Sequence, residues 1–403
     1  MTSMGHYLFR LLACIIALLA GIALFNWFIN PYGYFNAPRL KGINEKTLGF
    51  NHRLRLAKAL AIDKIRPATV IVGNSRAEAG YDPEHSGFTA PPVYNLAMGG
   101  GGMDETRRYL LEALALGEVR HIVIALDFTM FDATSWNQGN PYQANLLSDE
   151  TGTIGSPTWG WHRLGRTILS GDALSDSWWS LMHQSKPVAV YLPSGLRDDE
   201  SDLAQVAREG GSRSSSKRVE ASFLASTLKN TETEIFRRGY RNTFTQLGMI
   251  AALTADRDIR LTLLINPIHA RHSYLFESAG LWPTYEQWKR DVVALTLKGA
   301  ELLDFSAVSP CTAEPLPAAG DTTTAMRWYR EIAHFRRALG NEVLDRALLG
   351  RKSIPCGDFG QRLDAFSIET ALKSQRQALV AWMATHGDDV ADIDARARQF
   401  GRR

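Results

Sequence analysis

The sequence predicts an α/β protein: a three-layer α/β/α arrangement around a mostly parallel sheet, preceded by one amino-terminal transmembrane helix. Three observations predict it. Residues 11–29 are apolar except for Asn26, which is long enough to cross a bilayer core of roughly 30 Å. Short β-branched runs end in glycine or an acid, as in ATVIVG at 68–73 and HIVIALD at 121–127, the pattern of strands buried on both faces. These runs alternate with helix-patterned segments, which is how parallel sheets covered by helices are written.

The 403 residues suffice for one large domain or two smaller ones. Hydrophobic content of 45% and charged content of 22% exclude a disordered or polytopic chain. A net charge of +3 is too mild over this length to imply a nucleic-acid partner.

Taken in order, residues 1–10 form a short tail and 11–29 a signal anchor. The apolar run continues through Phe25, Trp27 and Phe28 without a small-residue cleavage site, and its aromatic end suits an interfacial belt. Residues 30–67 read as a membrane-proximal stalk with a basic surface, carrying Arg39, Lys41, Lys46, Arg53, Arg55 and Lys58. That basic bias after the helix argues for a cytoplasmic body. Cys311 and Cys356, the pair outside the membrane segment, argue for an oxidising compartment if they join as a disulfide.

The main domain is expected over 68–350. Strands are predicted at 68–73, 93–98, 121–127, 260–265 and 301–305, the last closing the sheet. Helices are predicted at 105–116 with Asp104 as N-cap, and at 233–256, 285–298 and 326–348. An insertion at about 129–235, rich in tryptophan (Trp136, Trp159, Trp161, Trp178, Trp179), packs beside or over the sheet. Within it, residues 209–217 read as a flexible loop. Residues 351–403 form a carboxy-terminal extension with a helix near 369–383 and a fraying end.

Ligands of open α/β sheets bind beyond the carboxyl ends of the strands, where the sequence puts Gly73-Asn74-Ser75-Arg76. A serine there becomes a nucleophile when a histidine takes its proton and a carboxylate orients the ring; otherwise it caps the next helix. Glu331 and His334 stand three apart near the start of a predicted helix, which places them on one face. The glycine run 99–102 could bring backbone amides to an oxyanion, or simply form a turn, and Asn266 could add a side-chain amide. Asn74, Arg76, His269 and His272 are candidate substrate contacts. His269 and His272 invite a metal reading, but no cysteine or carboxylate stands at matching spacing, so no metal or cofactor is expected.

The ordered set Gly-Asn-Ser-Arg, Asn-Leu-Ala-Met-Gly-Gly, Asn-Pro-x-His and Glu-x-x-His-Phe resembles the SGNH hydrolase superfamily of GDSL-like esterases and acyltransferases. More narrowly, it resembles the membrane-anchored envelope members that O-acetylate alginate or transfer D-alanine in teichoic acid synthesis. The resemblance covers roughly residues 30–350, least well over 130–235. It implies a flavodoxin-like sheet, Ser75 as nucleophile and His334 as base. Its oxyanion hole would draw on Ser75, Asn266 and a glycine, with Gly101 and Gly102 the candidates. The family usually has aspartate where this chain has Glu331, and aspartate or another small polar residue at Asn74; Asp321 is the reserve acid. The function so implied is serine-dependent acyl transfer on an exported polysaccharide, with a carbohydrate esterase or a non-catalytic glycan-binding scaffold as alternatives. The implied setting is the bacterial inner membrane with the body in the periplasm or outside. There it would work with a membrane-bound O-acyltransferase partner and a carbohydrate substrate, held to the lipid bilayer by residues 11–29.

Overall fold

The computed structural model describes residues 3–131, 147–148, 159–186, 188, 190–229, 233–296 and 300–401. In chain order the elements are α1 (Ser3–Ile29), α2 (Leu54–Ile65), β1 (Thr69–Val72), α3 (Ser75–Gly80), β2 (Val93–Asn95), α4 (Met103–Leu116), β3 (His121–Leu126), α5 (Trp159–Ile168), α6 (Gly171–His183), α7 (Asp199–Arg208), α8 (Gly211–Lys229) and α9 (Thr233–Asp256). They continue with β4 (Arg260–Ile265), α10 (Ala270–Ser278), α11 (Trp282–Thr296), β5 (Glu301–Asp304), β6 (Tyr329–Glu331), β7 (His334–Phe335), α12 (Arg337–Leu349), β8 (Gln361–Arg362), α13 (Ile368–Thr385) and α14 (Gly387–Gln399).

The sheet runs in the order β2-β1-β3-β4-β5-β8. Its first five strands are parallel, and β8 closes the edge antiparallel to β5. Strand alternation sorts the core into two layers. Val70, Val72, Ile122, Ile124, Leu126, Leu263 and Ile265 face one side, under α2, α4, α9, α10, α11 and α13. Ile71, Val123, Ala125 and Leu264 face the other, under α3, α12 and a long loop. The result is a mostly parallel sheet flanked by helices, with one apolar amino-terminal helix, α1.

Several expected elements take a different form. The basic surface expected over residues 30–67 is only partial: Arg39 and Lys41 are exposed, but α2 lies in the core, where Arg55 pairs with Glu105 at 2.5 Å and Lys58 donates to the carbonyls of Asn95 and Gly195. The chain after Glu209 turns at Gly210 and Gly211, both at positive φ, and becomes α8 rather than a flexible loop. Gly102, not Asp104, is the N-cap of α4. The helix predicted over 326–348 begins only at Arg337, because Tyr329–Glu331 and His334–Phe335 first pair as an antiparallel hairpin. Residues 351–403 are not a separate extension either: β8 joins the sheet, and α14 packs on α10 instead of fraying. Trp136 and Lys298 lie outside the described residues.

Two bonded networks fix the outer helices. Lys289 on α11 donates to Asp304 (2.7 Å), Ser306 (2.7 Å) and Gln375 (2.5 Å), joining α11, β5 and α13. Burial pushes the Lys289 pKa down, but the Asp304 charge together with Tyr285 and the hydrogen bonds to both outweighs it and leaves it raised. Burial likewise pushes Asp304 up, and Lys289 with Ser306 brings it below its ordinary value. Both groups therefore stay charged. Arg271 on α10 reaches Glu220 of α8 at 2.7 Å, along with Asp389 and Asp392 of α14. A disulfide between Cys311 and Cys356 pins the loop over the second face.

Because Lys289 and Asp304 neutralise each other where water is absent, removing one leaves an uncompensated charge. Lys289→Met is expected to destabilise the fold by about 3–5 kcal/mol. Pairing it with Asp304→Leu should recover part of that loss, as read from urea denaturation of the detergent-solubilised protein.

Candidate active site

The strand order reverses direction between β1 and β3, and such a reversal opens a crevice at the carboxyl ends of the two strands. Register sets what meets there. Val72 of β1 pairs with Ile124, and Leu126 of β3 with Ile265, so the residues just past these pairs converge: Gly73 to Arg76, Asp127 and Asn266. Gly73 is required at the turn. Its φ is +156°, and a Cβ there would lie 2.9 Å from the Ala125 carbonyl oxygen. The Asn74 side chain then accepts from the Arg76 amide at 3.0 Å and starts α3, which places Ser75 at the first helical position.

The β6–β7 hairpin comes over this crevice. His334 Nε2 lies 2.8 Å from Ser75 Oγ, and His334 Nδ1 contacts a Glu331 carboxylate oxygen. The second Glu331 oxygen accepts from the Ala333 amide at 2.7 Å. With the carboxylate accepting from Nδ1–H, the Nε2 lone pair is left to accept the serine hydroxyl proton. The three-residue spacing thus works through a tight hairpin rather than a helical face.

Electrostatics keep these states in place. Burial raises the Glu331 pKa, but the His334 ring, Arg330 and the Ala333 amide outweigh burial and bring it down to about 2. Burial and the neighbouring Arg330 push His334 below its ordinary value of 6.5, offset in part by Glu331. Near neutral pH this gives a carboxylate beside an unprotonated imidazole, the state a general base requires.

Beneath the serine lies a buried polar layer. Arg76 donates to the Ala333 carbonyl at 2.7 Å, pairs with Asp127, and approaches His272 Nε2 at 3.3 Å. Asp127 also accepts from Asn266 at 2.7 Å, and Asn266 accepts from Tyr81 at 2.7 Å. Burial, then Arg76, holds the His272 pKa well below its ordinary value, so the ring is neutral and can accept from the guanidinium. Asp127 is the member of this layer that sequence reasoning passed over; its signal was the acid ending HIVIALD.

The other expected site residues divide. Gly101 donates its amide to the Met98 carbonyl at 2.9 Å, closing a turn, and Gly102 caps α4. The glycine against Ser75 is Gly99, where a Cβ would come 4.0 Å from Ser75 Cβ and 3.4 Å from the Glu78 carboxylate. His269 is not brought to the crevice: its ring accepts from the Arg271 amide and meets the Glu314 carbonyl at 2.8 Å. Asn74, Arg76 and His272 hold the scaffold. Asp321 sits on a surface turn, accepting from Thr323 and Thr324, and orients no histidine.

In front of His334 lies a cavity of about 350 Å³ whose far wall is α7 and α8, with Gln205, Val206, Ser215, Arg218 and Ser222 among its lining residues. The middle region therefore shapes the approach to the site. A second cavity, about 460 Å³, opens at the amino ends of β4 and β5 beside Arg120 and Arg260, far from the serine.

His334 should titrate below 6.5 in ring-proton NMR of the full-length protein. The carboxylate raises that value, so Glu331→Gln is expected to move the midpoint to lower pH. A midpoint at or above the ordinary value would contradict the burial described for the ring. Comparison of the chain with protein-family models, with curated proteins and with solved structures finds no match, so the site is interpreted from its own geometry.

Proposed function

We propose that this protein transfers an acyl group, by way of an acyl-serine, to a carbohydrate polymer of the cell envelope. The observation carrying the proposal is the bonded series Ser75–His334–Glu331 at the mouth of the sheet crevice. Ser75 Oγ attacks the acyl carbonyl while His334 Nε2 takes its proton. The oxyanion is met by the Ser75 amide, one of the first helical amides and so without an intrahelical acceptor, and by backbone of the glycine run beginning at Gly99. Collapse of the intermediate expels the leaving group, which receives the proton from His334. A sugar hydroxyl, deprotonated by the same ring, then attacks the acyl-serine and regenerates Ser75. Water in place of the hydroxyl makes the same site an esterase. Glu331 holds Nδ1–H and stabilises the imidazolium that forms at each step.

Three features support the setting. The cavity beside His334 carries Gln205, Ser215 and Ser222, and its charged side chains are paired with one another, Arg218 with Glu209 at 2.9 Å and both Arg197 and Arg330 with Asp202, a lining suited to a hydroxyl-rich acceptor. Helix α1 is long and apolar enough to span a bilayer. The Cys311–Cys356 disulfide fits an oxidising compartment and so favours an external body over the orientation suggested by basic residues. With the likeness to envelope SGNH proteins noted above, these support a setting beside a membrane-bound O-acyltransferase that supplies the acyl group.

The test is intact-protein mass after incubation with a fluorophosphonate. A single adduct is expected on the wild type and none on S75A. H334A should slow its formation by roughly 10³-fold or more. Absence of an adduct on well-folded, full-length protein would favour a non-catalytic, glycan-binding role.

A further inference from the structure

Helices α5 and α6 are turned inside out relative to an ordinary surface helix. On α5, among the positions whose burial is described, Arg163 and Thr167 are buried, while Trp161 is 74% exposed; Leu169, just past its end, is 50% exposed. Arg163 faces inward because it pairs with Glu112 of α4 and donates to the Ala59 carbonyl at 3.2 Å. On α6, Leu174, Trp178 and Met182 stand four residues apart and form one exposed stripe. Its opposite face buries Ala173, Asp176, Ser177 and Ser180, with Asp176 bonded to Tyr32 at 2.7 Å and His52 at 2.9 Å. Polar groups thus hold both helices to the body, and large apolar side chains are left outside.

Both helices pack on α1. The contact falls on its last turns, where Asn26 and Ile29 are buried and Asn26 donates to the Ile168 carbonyl at 2.8 Å. The candidate span is 26 residues, of which those after Arg10 form the apolar run. At 1.5 Å per residue that is about 39 Å, against a hydrocarbon core of roughly 30 Å. The turns clasped by α5 and α6 therefore lie at the end of the span, at the depth of the headgroups. Tryptophans are the side chains that settle at that depth, and an apolar face lying in the membrane plane is how interfacial helices bind.

We infer that α5 and α6 form an interfacial foot, which seats Trp161, Leu169, Leu174, Trp178 and Met182 in the headgroup region of the bilayer that α1 crosses. Lipid is the occupant because the exposed apolar side chains stand on the two helices that pack on the membrane helix itself. The inference rests on α1 crossing a bilayer and is independent of the chemistry proposed for Ser75.

Spin labels on the full-length protein in lipid nanodiscs test it. Native Cys14, the free cysteine of α1, reports the span. W161C and W178C in a C14S background report the foot, and K373C on the exposed side of α13 gives the water reference. The labels at 161 and 178 should be shielded from a water-soluble nickel complex and reached by oxygen, at a shallower depth than the Cys14 label. Labels at 161 and 178 that match position 373 while Cys14 stays in lipid would overturn the inference. So would shielding that requires another membrane protein beside the nanodisc lipid. If Cys14 itself reads as water-exposed, the spanning helix fails and the foot fails with it.

Discussion

Burying the guanidinium of Arg76 obliges three distant stretches of chain to meet. A charge out of water is tolerated only when its hydrogen-bonding directions are filled, and here they are filled by the Ala333 carbonyl, Asp127 and His272. Ala333 lies between Glu331 and His334, so the group that anchors α3 also sets the height of the hairpin above Ser75. Asp127 ties the same group to the end of β3, and Asn266 extends the tie to β4. The planar fork of arginine suits this task, since its donors leave in fixed directions; a lysine would offer charge without orientation. The serine and its base are thus aligned from beneath by a residue adjacent to the serine in sequence.

The wall opposite His334 is held by a different set of charges. Asp202 on α7 accepts from both Arg197 and Arg330, and Arg336 binds Asp199 at 2.7 Å. Glu220 on α8 is bound by Arg271 and Arg396. Helices α7 and α8 are therefore fastened to the hairpin and to the carboxy-terminal helices rather than to the strands. The wall of the approach is thereby coupled to Glu331 and His334 through the arginines that flank them, Arg330 and Arg336.

Much of this was legible in the sequence for local reasons. The strands at 69–72, 121–126 and 260–265 follow from β-branched runs, and Ser75 follows from its place after the first of them. The pairing of Glu331 with His334 was readable from spacing, although the backbone that realises it was not. Strands of three and two residues carry too little periodicity to be told from a helix start, and the hairpin is fixed by tertiary contacts such as that of Phe335 with Tyr81. Arg76 was read as a substrate contact and Asp127 was passed over, because their roles depend on which strand ends are neighbours, and that is a property of strand order. Arg55 and Lys58 misled for the same reason: composition counts a buried cation and a solvated one alike.

The junction of α1 with the body has a mechanical consequence. A catalytic head on a flexible leash searches a volume, and its local concentration near any target follows from the length of the leash. Here Asn26 is bonded to α5, Asn44 to the Phe28 carbonyl at 2.6 Å, and the chain then enters α2 in the core. The head stands on a post. On the proposed reading, with α1 in a bilayer and the site acting on a polymer, the mouth is held at one standoff from the membrane, and the spacing of the marks along the polymer would be set by how it is fed past that plane.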